Sequence, residues 1–316
     1  MNQIAIFGAG LSGLIAAKML HEYYPEVHER QSSLPNNHNA VLRFRSSVVG
    51  DATNIAFKKV RVIKAIHEPT NSVADAIQYS LKVTGKLQSR SILDTDTVER
   101  YVAPPDLVSR LASTASISYD VDFLAWSHNL IRDGHCPIIS TIPMPAMMKI
   151  FEWREVPEFS YYDGWSVKLK LDPALEPTLH ATIYYPGSTP IYRATVCGGE
   201  VILEGVGDIK GINSLDSGFV EVLKSLGLEQ RHIVDWGVVK SNRYQKIADL
   251  SPRDRDIAKR FIIWLTQKHG IYSLGRYATW RPKLLLDDLP QDVRIIKALI
   301  DGGGSYSINL KMQTQS

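Results

Sequence analysis

The stretch Ile4-Ala5-Ile6-Phe7-Gly8-Ala9-Gly10-Leu11-Ser12-Gly13 decides how this chain is read, and Leu14, Ala17 and Leu20 follow it at helical spacing. A short apolar run, a GxGxxG turn and a helix start stand in the order that a dinucleotide site requires. Gly8 permits the tight turn, Gly10 lets the backbone approach a pyrophosphate, and Gly13 lets the helix pack closely on the strand. The helix start, at Leu11 and Ser12, offers unpaired N–H groups and a partial positive charge to phosphate. Outward from it, Glu26-Val27-His28-Glu29-Arg30 ends in an acid about twenty residues after the first glycine. Glu29 can accept hydrogen bonds from a ribose diol, and an acid at this place disfavours NADP without separating NAD from FAD. An ordinary βα turn followed by a solvated strand-end carboxylate would use the same residues.

Composition narrows the class. The chain has 316 residues, of which 44% are apolar, with 36 Lys+Arg against 33 Asp+Glu. That length fits two domains, or one large domain with an insertion. A formal charge of +3 excludes the strongly basic and strongly acidic classes; nucleic acid stays possible as a partner but is not indicated by charge. Two cysteines, Cys136 and Cys197, build neither a disulfide framework nor a zinc site, so no metal is expected. Apolar runs such as Phe261 to Leu265 fall far short of a membrane span, and no secretory pattern opens the chain. The expectation is a cytoplasmic protein of undetermined oligomeric state.

Further along, Phe57 to Ile66 is amphipathic, Tyr79 to Val83 reads as extended, and Pro104-Pro105 stands where a helix starts. Ile117 to Trp126 and Pro137 to Ile142 read as strands. Between residues 165 and 206 four alternating segments (Trp165–Leu171, Leu179–Tyr185, Ile191–Val196, Val201–Glu204) read as an antiparallel meander. A helix is expected near 216 to 226. Ser251-Pro252 opens a long helix through Lys268 that Gly270 stops. Ile271 to Tyr277 reads as a strand and Val293 to Ile300 as the last helix. The expected fold class is α/β: a Rossmann-like dinucleotide-binding domain interleaved with a mixed α+β substrate domain containing an antiparallel sheet. The first would take residues 1–46, 95–145 and 265–303, the second 47–94 and 146–264, with 304–316 as a tail.

Together these segments resemble one superfamily, the FAD-dependent amine oxidases and their relatives the UDP-galactopyranose mutases. The N-terminal IAIFGAGLSGLIAA with Glu29-Arg30 is similar to their FAD fingerprint. Ile139 to Pro145 (ISTIPMP) is similar to their strand returning from the FAD domain, and Gly275 to Pro282 (GRYATWRP) to their terminal flavin-contacting segment. Ile183 to Val196 is most similar to the mutase branch, where a comparable Tyr-Arg pair lies in the nucleotide-sugar site. The resemblance implies non-covalent FAD, with its ADP half on Gly8, Gly10, Gly13 and Glu29 and its ring system near Gly275, Arg276, Asp287 and Asp288. One departure is Asn36-Asn37-His38, where the family usually carries a Gly-Gly pair; the chain is also shorter than typical mutases.

Candidate chemistry follows from that frame. Arg193 is the preferred catalytic anion anchor, since a guanidinium holds carboxylate or phosphate bidentately. Tyr184, Tyr185 and Tyr192 are candidates to flank a base or sugar, or else pack across strands. Arg43 and Arg45 occupy alternate positions and would face one way on a strand, toward flavin phosphate, a substrate anion or solvent. His38 is a candidate hydrogen-bond partner of the flavin or a catalytic base. The implied activity is hydride transfer from a carbon next to an amine to flavin. The alternatives are a mutase-like isomerase using reduced flavin, an oxidase of an amine carried on a nucleotide or modified nucleic-acid base, and a non-catalytic dinucleotide-binding protein. The partner is a small-molecule or nucleotide-linked substrate.

Overall fold

The computed structural model describes residues 3–34, 42–87, 92, 95–130, 136–175, 177–207, 217–237 and 240–302. Among these, five strands form a parallel sheet in the order β14 (Ile271–Ser273), β7 (Ile138–Ser140), β1 (Ala5–Phe7), β2 (Glu26–His28) and β6 (Ser116–Ser118). Strand β1 is central, so the Gly-rich turn leaves from the middle of the sheet. Period-2 alternation sends Ile4 and Ile6 to one face and Ala5 and Phe7 to the other. On the first face lie α1 (Leu11–Met19), α2 (Val48–Thr53), α4 (Leu107–Ala112) and α9 (Leu289–Asp301), in one core with Leu14, Leu107 and Val293. On the second lie α5 (Phe123–Leu130), α6 (Met144–Ile150) and α8 (Pro252–His269), with Met147, Phe261 and Leu265. Helices on both faces bury the sheet on both sides, as a doubly wound sheet requires.

The second sheet has nine described strands, ordered β12 (Ile233–Trp236), β8 (Tyr161–Leu171), β11 (Glu200–Val206), β10 (Ile191–Cys197), β9 (His180–Tyr184), β4 (Lys58–Ile66), β5 (Val98–Val102) and β3 (Arg43–Phe44), with β13 (Lys240–Ile247) also on β8. Strand β4 is its hinge of pattern: Lys58 to Val62 pair antiparallel with β5, and Ile63 to Ile66 pair parallel with β9. One face carries Val167, Leu169, Ala194 and Leu203 and is covered by α7 (Ser217–Ser225) through Phe219, Val222 and Leu223. Toward the other face, α3 (Ser72–Thr84) lays Tyr79 and Val83 on Tyr184 and Tyr192.

Several local expectations are corrected. Tyr79 to Val83 is helical within α3: the Asn71 side chain accepts from the N–H groups of Val73 and Ala74, and Gly85 ends the helix in the left-handed region, so caps outweigh a short β-like alternation. Ile117 to Trp126 splits into the three-residue β6 and α5, because the Asp122 carboxylate accepts from Leu124 and Ala125 and starts a helix there. Strand β14 stops at Ser273, before Gly275 at φ +92° turns the chain. The segments between 165 and 206 are strands, but β8 lies beyond β11, so only β9, β10 and β11 follow one another as a meander. Ser251 and Gly270 bound α8 as their cap chemistry predicts. Strands β3 and β5, from segments grouped with the first domain, pair into the second sheet.

Candidate functional site

A cavity of about 640 Å³ lies between the start of α1 and one face of the second sheet. At one end it is lined by Gly10, Leu11 and Ser12, with Arg45, Asp287 and Leu284 to Leu286. The local backbone explains this end. Gly8 sits at φ +103°, and a Cβ there would lie 2.2 Å from Thr141 Oγ1; a Cβ on Gly13 would lie 2.0 Å from the Gly8 carbonyl oxygen. Those glycines are closed by packing. Gly10 differs: a Cβ there would meet nothing within 4 Å, so its backbone faces open space at the helix start. No side chain caps α1.

Glu29 ends β2 and is buried; its carboxylate accepts from the Ala9 N–H at 2.8 Å and the Gln31 N–H at 3.0 Å. The acid is thus tied to the Gly-rich turn, with second lone pairs left for other donors. Arg30 is exposed and does not line the cavity. Gly275, at φ +92°, approaches the fingerprint closely, since a Cβ would lie 2.8 Å from Ser12 Oγ. Arg276 and Tyr277 line the cavity beside it. Arg276 donates through Nη2 to the Pro282 carbonyl, while its Nε is buried without a partner; burial lowers its pKa. Asp287 accepts from Ser46 N and Oγ at 2.9 and 3.2 Å, whereas Asp288 is exposed and accepts from the Leu285 N–H.

The other wall is built by strand register. Val62 and Lys64 of β4, Thr182 and Tyr184 of β9, Arg193 and Thr195 of β10 and Glu204 of β11 all line the cavity at alternate positions. Tyr184, Arg193 and Glu204 stand opposite one another on adjacent strands. A bulge between Ile191 and Arg193 brings Tyr192 to the same carboxylate. Arg193 Nε and Nη2 each approach Glu204 Oε2 at 2.5 Å, and the Tyr192 hydroxyl donates to Oε1 at 2.8 Å. Burial works to raise the Glu204 carboxyl, but the Arg193 guanidinium, the Lys246 ammonium and the hydrogen bonds hold it at about 2. Burial opposes the Arg193 charge, and Glu204 outweighs it, so the guanidinium stays protonated. Arg43 donates through Nη2 to the Ala181 carbonyl at 3.1 Å, and burial lowers its pKa to about 10.

The structure therefore brings Gly10, Leu11, Ser12, Arg45, Arg193, Arg276 and Asp287 to one cavity, with Gly275 packed against Ser12. It does not bring Tyr185 there: that ring lies in the α7-side core and its hydroxyl pairs with Ser225 at 2.6 Å. Tyr192 is fully buried behind Arg193 and acts through Glu204. Strand alternation separates Tyr184 from Tyr185, which the sequence pairs. His38 lies outside the described residues. Sequence reasoning missed Lys64, Arg100, Thr182, Thr195 and Glu204. A lone acid inside the apolar run Val201-Ile202-Leu203-Glu204 is the signal that marks a buried ion pair.

No family model matches the chain, and no curated protein matches it in sequence. Solved structures do. A reduced UDP-galactopyranose mutase superposes with a TM-score of 0.66 at 14% identity, over 95% of this chain and 94% of that one. The chain has the fold of this mutase. An oxidoreductase from Methanosarcina mazei matches with a TM-score of 0.54 at 10% identity, over 94% and 100% of the two chains. An FAD-dependent oxidoreductase from Pseudomonas aeruginosa matches at 0.51 and 14%, over 96% and 91%. The α/β fold is thus shared with all three, and this chain and the mutase chain match over nearly the whole of each.

Proposed function

We propose that the chain is an FAD-dependent oxidoreductase acting on an anionic substrate. The supporting observation is the meeting in one cavity of the α1 start at Gly10 to Ser12 with Arg276, Tyr277 and the Arg193 wall. The residues fit FAD: Gly10 leaves room for a pyrophosphate, Glu29 stands at the strand end for a ribose, and the buried Arg276 Nε is a donor in need of an acceptor. FAD, when bound, supplies the two-electron acceptor. The N–H groups of Leu11 and Ser12 would hold phosphate, and Gly275, Arg276 and Asp287 would border the ring system. Arg193, fixed by Glu204 and Tyr192, would hold the substrate's anionic group and so orient the reacting carbon.

The amine-oxidase form of this chemistry needs a neutral amine at the reacting carbon. Arg43, Arg45 and Arg276 along the cavity disfavour a free ammonium, so an amine borne on a nucleotide-like or other anionic molecule fits better than a simple cationic amine. A second reading, a UDP-galactopyranose-mutase-like isomerase, is favoured by the superposition on a mutase over nearly the whole of both chains and by the Tyr184–Arg193 pair on the wall.

Purified protein is expected to be yellow with an oxidised-flavin absorbance band. Peroxide release from an anionic amine selects the oxidase; turnover of UDP-galactose only after dithionite reduction selects the isomerase. Colourless protein that binds NAD alone overturns both.

A further inference from the structure

The chain joining β9 to β10 turns three backbone carbonyls, those of Tyr185, Gly187 and Ile191, toward one point. That point is the Nζ of Lys82, which reaches across from the last turn of α3 and donates to them at 2.7, 2.8 and 2.7 Å. An ammonium has three donors, and all three are spent here. The acceptors are themselves held: the Thr189 hydroxyl donates to the Ile191 carbonyl at 3.0 Å, and the Tyr185 N–H donates to the Tyr192 carbonyl.

A lysine in the last turn of a helix commonly serves that helix's own final carbonyls. Lys82 serves another segment instead. Among the described residues no carboxylate offsets its burial, and desolvation lowers its pKa to about 8. A partly buried charge met only by carbonyl dipoles is how a protein holds an alkali ion, with oxygens standing in for the hydration shell. Spacing decides the size of the cation. Calcium takes oxygens at roughly 2.3–2.6 Å and magnesium at about 2.0–2.1 Å, both with carboxylates among the ligands. Three neutral oxygens at 2.7 to 2.8 Å suit a larger, singly charged ion.

We propose that the β9–β10 connection is a monovalent-cation cage, of ammonium or potassium size, whose resident cation is the ammonium of Lys82. The cage adjoins the cavity wall: Tyr184 precedes its first carbonyl, and Arg193 lies two residues after its last. Three residues before Lys82 on α3, Tyr79 packs edge-on against Tyr184 and Tyr192, with ring centres 5.6 and 6.3 Å away. Cation and ring contacts together fasten α3 to the start of β10, and the position of Arg193 follows from them. The cage depends on neither the cofactor nor the substrate.

Lys82→Ala empties the cage and keeps its carbonyls. Thermal unfolding of the full chain is compared, for this variant and for wild type, in the chlorides of ammonium, potassium, lithium and tetramethylammonium at equal ionic strength. The variant should lose several degrees in lithium or tetramethylammonium chloride and regain much of that in ammonium or potassium chloride, rising with cation concentration as linked binding requires. Amide exchange from Tyr185 to Ile191 should slow again in the same two salts. Wild type should be indifferent to the choice of salt, because its cage is filled. Crystals of the variant soaked in thallium(I) should show an anomalous peak between the three carbonyls. Lys82→Gln, nearer in size, serves should the alanine variant not fold, and it should show the same order of salts. No salt-selective recovery in either variant, no thallium peak, or the same order of salts in wild type overturns the cage.

Discussion

The two sheets solve recognition in opposite ways. The parallel sheet has three-residue strands and acts through backbone: a turn with open space at Gly10, helix N–H groups and one acid at a strand end. The mixed sheet has strands of up to eleven residues and acts through side chains, each placed by its register with a neighbour. Backbone recognition tolerates no added atom but is indifferent to most side chains. Side-chain recognition tolerates shape changes but depends on each charge having its partner.

The largest effect should come from adding atoms to the first region. Gly13→Val drives a side chain into the Gly8 carbonyl, 2.0 Å from the new Cβ, and should destabilise the chain by about 3 kcal/mol or more. Thermal unfolding and flavin retention should fall together; a stable, yellow variant would break the contrast. Next comes removal of a charge from the second region. Glu204→Leu leaves Arg193 buried without its partner and should cost about 3–5 kcal/mol, while the double variant with Arg193→Leu should recover much of that in urea unfolding. If the double variant is no better, the pair is not the unit described.

The same carboxylate sets a pH limb. Its pKa is held at about 2 in the folded chain against 4.5 ordinarily. Its stabilisation is therefore present above pH 4.5 and lost as pH falls toward 2, up to about 3 kcal/mol. Glu204→Gln should flatten that part of the stability curve measured by unfolding. Lys82→Met comes next. Its ammonium donates to the carbonyls of Tyr185, Gly187 and Ile191 at 2.7, 2.8 and 2.7 Å, tying α3 to the β9–β10 turn. A loss of about 2 kcal/mol and faster amide exchange in that turn are expected. The smallest effects divide two arginines: Arg45→Ala, at the cavity, should loosen flavin severalfold in equilibrium dialysis, whereas exposed Arg30→Ala should leave it unchanged.

The contrast also explains what could be read in advance. Gly8, Gly10, Gly13 and Glu29 lie within one short stretch, and their chemistry is local, so the sequence displays it. The caps of α8 at Ser251 and Gly270 are legible for the same reason. The wall is not local. Lys64 meets Thr182 and Arg193 meets Glu204 only once β4, β9, β10 and β11 have found their register, and no spacing along the chain encodes that pairing. The bulge at Tyr192 shifts the facing of one residue, so period-2 counting alone could not place it. Tyr79 to Val83 was open to a strand reading because five residues carry too little periodicity to outweigh Asn71 and Gly85.

Strand β4 has a consequence for how the chain is made. Its latter half waits for Ala181 to Tyr184, and β7, which flanks β1, waits for Ile271 to Ser273. A growing chain emerging from the ribosome therefore holds two unfilled ladder edges until residue 184 has been made, and the β7 edge until residues 271–273 follow. Late completion of this kind favours all-or-none assembly, and it makes prematurely stopped chains prone to pair with one another through those edges rather than to persist as a smaller working unit.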